Sequence, residues 1–344
     1  MFRNVVAIER ALGTGIIISS SVPIPQRVEQ RIRDFVEEYE SVLSRFREDS
    51  LVSRMASAEH GGDFEFPAWA QPLFALYSEF YAATHGAFDA CIGADLLALG
   101  YNNSVKFVPE STVSASENSD SFSGGWANYR RALPVTWADI SQDGGSATLH
   151  TNQPVQLDFG AAGKGYFVDL VTQILKEELG GEMPSDCDSP ADFDFLVNAG
   201  GDMRACFSEE NNQIKVALEN PFDTTQAVAV ASIASGALCA SSAARRRWKV
   251  KNASGFESNL IATHLINALD GIPACDLCAS WAYVPSKTCD FPTAYADALA
   301  TALFVSKESD LQKIVQNVGA KFAVMQPNHA LRKTCAFPAH FFVD

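Results

Sequence analysis

Long apolar runs are missing from this chain. No stretch approaches the roughly 18 uninterrupted apolar residues that a membrane-spanning helix needs, so no membrane insertion is expected. Basic residues are scarce as well: 26 Lys and Arg stand against 41 Asp and Glu, a formal net charge of -15. Nucleic-acid binding needs a basic footprint that this balance lacks, and an anionic membrane surface is disfavoured for the same reason. The opening "MFRNVVAIERALGTGIIISS" has no basic head followed by an unbroken apolar run, because Glu9 and Arg10 interrupt it. No signal peptide is expected, and a cytoplasmic location follows as the expectation. The eight cysteines are scattered, which fits free thiols in a reducing compartment. No GxSxG or HExxH pattern occurs.

Against these absences stands a hydrophobic content of 47% over 344 residues, enough for a sizeable core in one large domain or two intimately joined subdomains. "ALGTGIIISSSVPIP" reads as a strand entered through a Gly-Thr-Gly turn and closed by prolines. Val28, Ile32, Phe35, Val36, Tyr39 and Leu43 recur at helical spacing, and Asp49 or Ser50 is a candidate turn or cap beyond them. "PLFALYSEFYAATHG" predicts a second helix, stopped at His85-Gly86. Residues 102–127 and 180–192 read as polar surface insertions, with strand patterns in "LPVTWADI" and "SATLH" between them. "KGYFVDLVTQILKEEL", "YADALATALFV" and "ESDLQKIVQNVG" predict helices; "FDFLVNAGGDMRACF", "IKVALENP", "AVAVASIASGALCAS" and "AKFAVMQ" predict strands. The mixed order favours an α+β fold with mixed or antiparallel sheets and packed helices.

Several clusters could carry chemistry. "LDFGAAGKGYFVDL" places Asp158, Gly160, Gly163, Lys164 and Gly165 together. A glycine-rich turn into a helix can hold phosphate through backbone amides, with Lys164 adding charge, although the spacing matches neither a Walker A loop nor GxGxxG. A tight strand-to-helix turn explains the same residues. Asp297 and Thr301, four apart, share one helix face and offer two hard oxygens suited to Mg²⁺; a buried polar stripe is the plainer alternative. His264, in an apolar strand pattern, is either a packed core residue or a general base. "THGAFDACIG" sets Phe88 and Asp89 in a loop that could wrap a planar ring, or simply turn the chain. The Cys275 and Cys278 pair has no partner pair for zinc, so buried thiols are expected there. "ARRRWK" is a basic run in an acidic chain: a solvated face, or a contact for a nucleotide phosphate or an acidic partner.

The order of these pieces along the chain is more specific than any one of them. "LGTG", "LSRFREDSLVSRM", "GAFDACIG", "LDFGAAGKGYFVD", "VNAGGDMR", "SSAARRRW", "THLINALDG" and "YADALATALF" follow one another as in the ApbE family of FAD:protein FMN transferases, which the chain resembles from about Leu12 to about Gly319. The resemblance implies one ApbE-like domain with a T-fold-like core. It implies an enzyme that uses Mg²⁺ and takes FAD as substrate. FMN would pass to a threonine or serine hydroxyl of an acceptor flavoprotein, such as a cytosolic reductase, with release of AMP. Residue by residue, the backbone carbonyl of Ala161 with Asp297 and Thr301 would hold the metal, and His264 would help activate the acceptor hydroxyl. Leu12, Phe46, Ala87, Phe88, Asp89, Asp158, Lys164 and Ile266 would line the FAD site.

The chain departs from the family pattern after His264, where Asn267 and Ala268 replace the usual Asp and Pro. Ala161 replaces a glycine in the metal loop, and Ala243 replaces a common glycine after Ser242. Asn cannot carry charge or act as a base, so the role of the missing acid is lost or moved, with Asp270 as a candidate. Two alternatives follow: an FAD pyrophosphatase that uses water as acceptor, and an FAD-binding or delivery protein without catalysis.

Overall fold

The computed structural model describes residues 2–102, 104–107, 135–142, 145–180, 193–251 and 257–342. Most of the polar stretch 102–127 and nearly all of 180–192 lie outside the described residues.

An open, antiparallel, eight-stranded sheet organises the fold. In spatial order its strands are Asn4–Ala11, Thr14–Ser20, Phe195–Ala199, Asp202–Cys206, Gly236–Ser242, Ala279–Pro285, Lys321–Met325 and Leu331–Lys333. Each is paired to its neighbour antiparallel. The first strand, Asn4–Ala11, is not among those expected above; it is an edge strand whose alternation is blurred by exposed Val5.

Period-2 alternation gives the sheet two different faces. On the central strands, Ala237, Cys239, Ala282, Val284, Phe322 and Val324 join the core beneath the helices. Leu238, Ala279, Trp281, Ala323 and Met325 point the other way, onto a small sheet of Ile214–Asn220, Asp223–Ile233 and Ala339–Phe341. "AVAVASIASGALCAS" is therefore two strands in two sheets rather than one, because the chain turns at Ala234 and Ser235 and changes layer.

On the helical face, Gln26–Leu43 packs its Val28, Ile32, Val36 and Tyr39 stripe inward. Ser50 caps the next helix, Leu51–Ser57, by accepting from the Ser53 amide at 3.1 Å. The helix Gln71–Ala83 stops where His85 and Gly86 both take positive φ. "LPVTWADI" is not a strand over its described residues. Trp137–Asp139 form a 3₁₀ turn, in which Thr136 and Asp139 cap each other reciprocally.

Two helices lie against the centre of the sheet. The glycine helix, Gly163–Leu179, crosses the alanine helix, Pro292–Val305, at close range. An added Cβ at Gly165 would fall 2.3 Å from the Thr293 carbonyl oxygen and 2.7 Å from Asp297 Cβ, so only glycine permits this approach. The alanine helix starts on Pro292 and is buried almost all round. The sheet anchors it through Ser280, whose hydroxyl donates to the Ala300 carbonyl at 2.6 Å.

Candidate active site

The crossing of these two helices, over the ends of the central strands, opens a cleft. One lobe of about 260 Å³ is lined by all twelve residues singled out above as site candidates: Leu12, Phe46, Ala87, Phe88, Asp89, Asp158, Ala161, Lys164, His264, Ile266, Asp297 and Thr301. They come from six separate segments of the chain. A second lobe of about 510 Å³ shares Leu12, Phe46, Tyr101, Asp158, Gly160, Lys164 and Arg246 with the first. The two form one elongated cleft.

Buried charge is concentrated at its floor. Lys164, in the first turn of the glycine helix, donates to Asp202 at 2.6 Å and lies 3.5 Å from Asp297. Asp202 reaches this point because Gly200 and Gly201, both at positive φ, turn the hairpin between Phe195–Ala199 and Asp202–Cys206. Asp297 accepts from the Gly165 amide at 3.0 Å and is only 2% exposed. Two buried carboxylates thus face one lysine. Burial and then the adjacent Asp202 push the Asp297 carboxyl well above the usual carboxylate range, against the pull of Lys164. Burial would lower Lys164, but Asp202 and Asp297 outweigh it and hold the ammonium above its ordinary value. Asp202 had no role in the sequence reading; its signal was the acid directly after the glycine pair of "NAGGD".

The rest of the lining is set by neighbouring loops. Thr301 shares a hydrogen bond of 3.1 Å with Ser241 on the central strand Gly236–Ser242. Asp158 is paired with the Arg45 side chain and accepts from the Gly160 amide at 2.7 Å. Phe46, 41% exposed, stands at the mouth, with the Arg45 guanidinium 4.2 Å from its ring centroid. Tyr101 stacks on Trp248 at 5.0 Å. Asp89 accepts from the Cys91 and Trp137 amides, so its carboxylate caps a turn as well as facing the cleft. Phe88 packs on Tyr77 and Phe80.

His264 lies one residue beyond the strand Glu257–Thr263, not within it. Its Nδ1 is buried and has no hydrogen-bond partner among the described residues. Burial, followed by the charges of Arg246 and Lys164, pushes its pKa down to about 3, so the imidazole is neutral at physiological pH. The departures downstream have a structural consequence. The Ala268 amide donates to the Ala87 carbonyl at 3.0 Å, a bond that proline could not make. Asn267 accepts from the Leu269 amide at 2.9 Å and closes the turn. Asp270 is exposed and is not among the residues lining either lobe.

Two expectations need correction. Cys275 is exposed and Cys278 is half-buried, so these thiols are not core hydrophobes; they sit on a loop and at a strand entrance rather than inside a layer. "ARRRWK" is not a uniform solvated face either. Arg245, exposed and paired with Glu219, and Arg246 both line the cleft, whereas Arg247 and Trp248 are buried.

The fit of a divalent ion can be judged from these donors. Among the described residues, no group of three or more His, Cys, Asp and Glu side chains is placed to hold a metal. The implied set is of another kind, with one carboxylate, one hydroxyl and one main-chain oxygen, all hard and all on the cleft wall. The uncompensated negative charge at Asp202 and Asp297 favours a cation there. These residues fit Mg²⁺.

No helix among the described residues is long and apolar enough to cross a membrane. No curated protein sequence matches the chain. Solved structures share its fold. The ApbE protein from Thermotoga maritima is 21% identical, with a TM-score of 0.71 over 97% of this chain and 98% of that one. The flavin transferase ApbE from Vibrio cholerae is 16% identical, with a TM-score of 0.67 over 96% of each chain. The flavinyl transferase ApbE from Pseudomonas stutzeri is 21% identical, with a TM-score of 0.64 over 98% of this chain and 97% of that one. The sequence model of the ApbE family matches residues 12–325, and the chain belongs to that family.

Proposed function

We propose that this protein is a Mg²⁺-dependent FAD:protein FMN transferase, built as one domain, that flavinylates a threonine or serine of an acceptor flavoprotein. One observation carries the reading: twelve residues from six separate segments, which the resemblance would assign to the site, line a single cleft. The names of the similar structures from Vibrio cholerae and Pseudomonas stutzeri agree with it.

In the reaction, the acceptor hydroxyl oxygen attacks the phosphorus on the FMN side of the FAD diphosphate. A new P–O bond to the acceptor forms, the bond from that phosphorus to the bridging oxygen breaks, and AMP leaves with the bridging oxygen. Ala161, Asp297 and Thr301 would hold Mg²⁺, which when bound supplies charge neutralisation for the diphosphate. Lys164 adds a fixed positive charge at the same floor. His264 takes the proton of the incoming hydroxyl. Burial first, and then Arg246 and Lys164, depress the basicity of His264. An anionic diphosphate beside the two cations offsets the part of that depression that comes from their charge. Phe46 and Tyr101 offer aromatic faces at the cleft mouth for a planar ring. The acceptor is read as a cytosolic reductase, in keeping with the cytoplasmic expectation.

The test is incubation with FAD and Mg²⁺, with and without a candidate acceptor domain, followed by assay for AMP and for acceptor mass. AMP together with FMN-modified acceptor is the expected result. AMP without acceptor would indicate a pyrophosphatase, and bound intact FAD a binding protein. His264→Ala should slow transfer by about 10²–10⁴-fold while leaving FAD bound.

A further inference from the structure

Arg246 stands where the two lobes of the cleft meet. Of the residues that line both lobes, only Lys164 and Arg246 are cationic. Their situations differ. Lys164 is matched by Asp202 and Asp297. Arg246 donates to a neutral group, the Tyr101 hydroxyl, at 3.2 Å, and forms no ion pair with a carboxylate among the described residues. It lies near enough to Lys164 and His264 for its charge to disfavour protonation of both. The turn 243–246 leads directly into the strand Arg247–Lys251, whose Trp248 is buried against Tyr101, so the backbone behind Arg246 is anchored.

We propose that Arg246 binds the diphosphate bridge of the dinucleotide substrate and makes the cleft select diphosphate-linked flavin over riboflavin. The inference rests on the reading given under Proposed function and adds a residue and a selectivity to it. A dinucleotide with one ring system in each lobe carries its diphosphate across their junction. That bridge brings two negative charges to a floor whose lysine is already balanced by two carboxylates. A guanidinium without a carboxylate partner supplies the missing charge, and its planar fork suits phosphate oxygens. Riboflavin carries no phosphate and gains nothing from it.

The experiment measures binding of FAD, ADP and riboflavin to the full chain, with Mg²⁺ present, by calorimetry or flavin fluorescence. In Arg246→Gln, FAD and ADP should bind on the order of 10- to 100-fold more weakly, as for loss of a charge-assisted hydrogen bond, while riboflavin is essentially unmoved. Arg246→Lys should recover part of the loss. Arg332→Gln, on an exposed arginine paired with Glu308 and away from both lobes, should leave FAD binding unchanged. Unaltered FAD affinity in Arg246→Gln overturns the proposal. An equal loss for riboflavin also overturns it, because that would mark a structural role through Tyr101. A rise in acceptor KM with FAD affinity intact overturns it in favour of acceptor docking. Should Arg246→Gln not fold, Arg246→Lys carries the test: FAD must weaken several-fold more than riboflavin. A wild-type chain that binds no FAD sinks the transferase reading itself; wild-type binding with an indifferent Arg246→Gln sinks only this assignment.

Discussion

The two faces of the eight-stranded sheet use the same strands for different purposes. On the helix side, Asp202 and Arg204 alternate with residues of the far core and meet Lys164, Asp169 and Asp297 from the two crossing helices. On the other side, Trp281, Phe337, Ala229 and Ala231 close a purely apolar layer. A buried carboxylate opposes folding unless it is paired, whereas a buried tryptophan favours folding wherever it fits. The helix side therefore bears a stability cost for its chemistry, and the far side contributes stability without any.

Four variants would sharpen or break that contrast. The largest effect is expected from Asp297→Ala, which should lower AMP release by about 10³-fold or more while moving the melting temperature by only a few degrees. Full turnover in that variant, with a chelator present, would remove the metal site from the account. Trp281→Ala on the far face should behave in the opposite way, costing about 3–5 kcal/mol in denaturant unfolding with turnover per folded molecule unchanged. A parallel loss of turnover would show that the two faces are coupled. Gly165→Ala should combine both effects. Forcing the helices apart costs about 1–3 kcal/mol and displaces Asp297 from Lys164, so stability and AMP release both fall.

The smallest effect concerns pH. Asp169 accepts from the Thr293 and Ala294 amides and the Thr293 hydroxyl, with Arg204 nearby. Burial nevertheless raises its pKa to about 6, against the lowering by Arg204 and these bonds. A carboxyl with a higher pKa folded than unfolded favours folding when protonated. Stability from this group is complete below about pH 4 and is lost as pH rises to about 6, and Asp297 acts with the same sign. Thermal melts between these values should show a decline that flattens in Asp169→Asn. An unchanged slope would mean that Asp169 is ionised throughout.

Regular periodicity made much of the fold legible. Gln26–Leu43, Gly163–Leu179 and Pro292–Val305 carry helical signals strong enough to place them within a few residues. Signals failed where neighbours in space decide the outcome. The Trp137 turn carries strand-like residues but answers to Asp89, whose carboxylate accepts from its amide. Nothing local in "AVAVASIASGALCAS" says that its two halves belong to different layers. The site shows the same division. Lys164, Asp297 and Thr301 were visible as chemistry-bearing types at suggestive spacing, whereas Asp202 and Ser241 acquire meaning only from what lies opposite them.

Composition and residue order alone set the expectation against a basic nucleic-acid surface and a membrane-spanning helix. They set the helical and strand periods and bring acid, lysine and glycines together between Asp158 and Gly165. Those properties are local, because they depend on side-chain type and on spacing within a few turns of backbone. That Asp202 and Asp297, 95 residues apart in sequence, share one lysine was settled by packing. Long-range contact follows from which faces bury together, and a buried charge takes its pKa and its partners from that enclosure rather than from its neighbours in the chain.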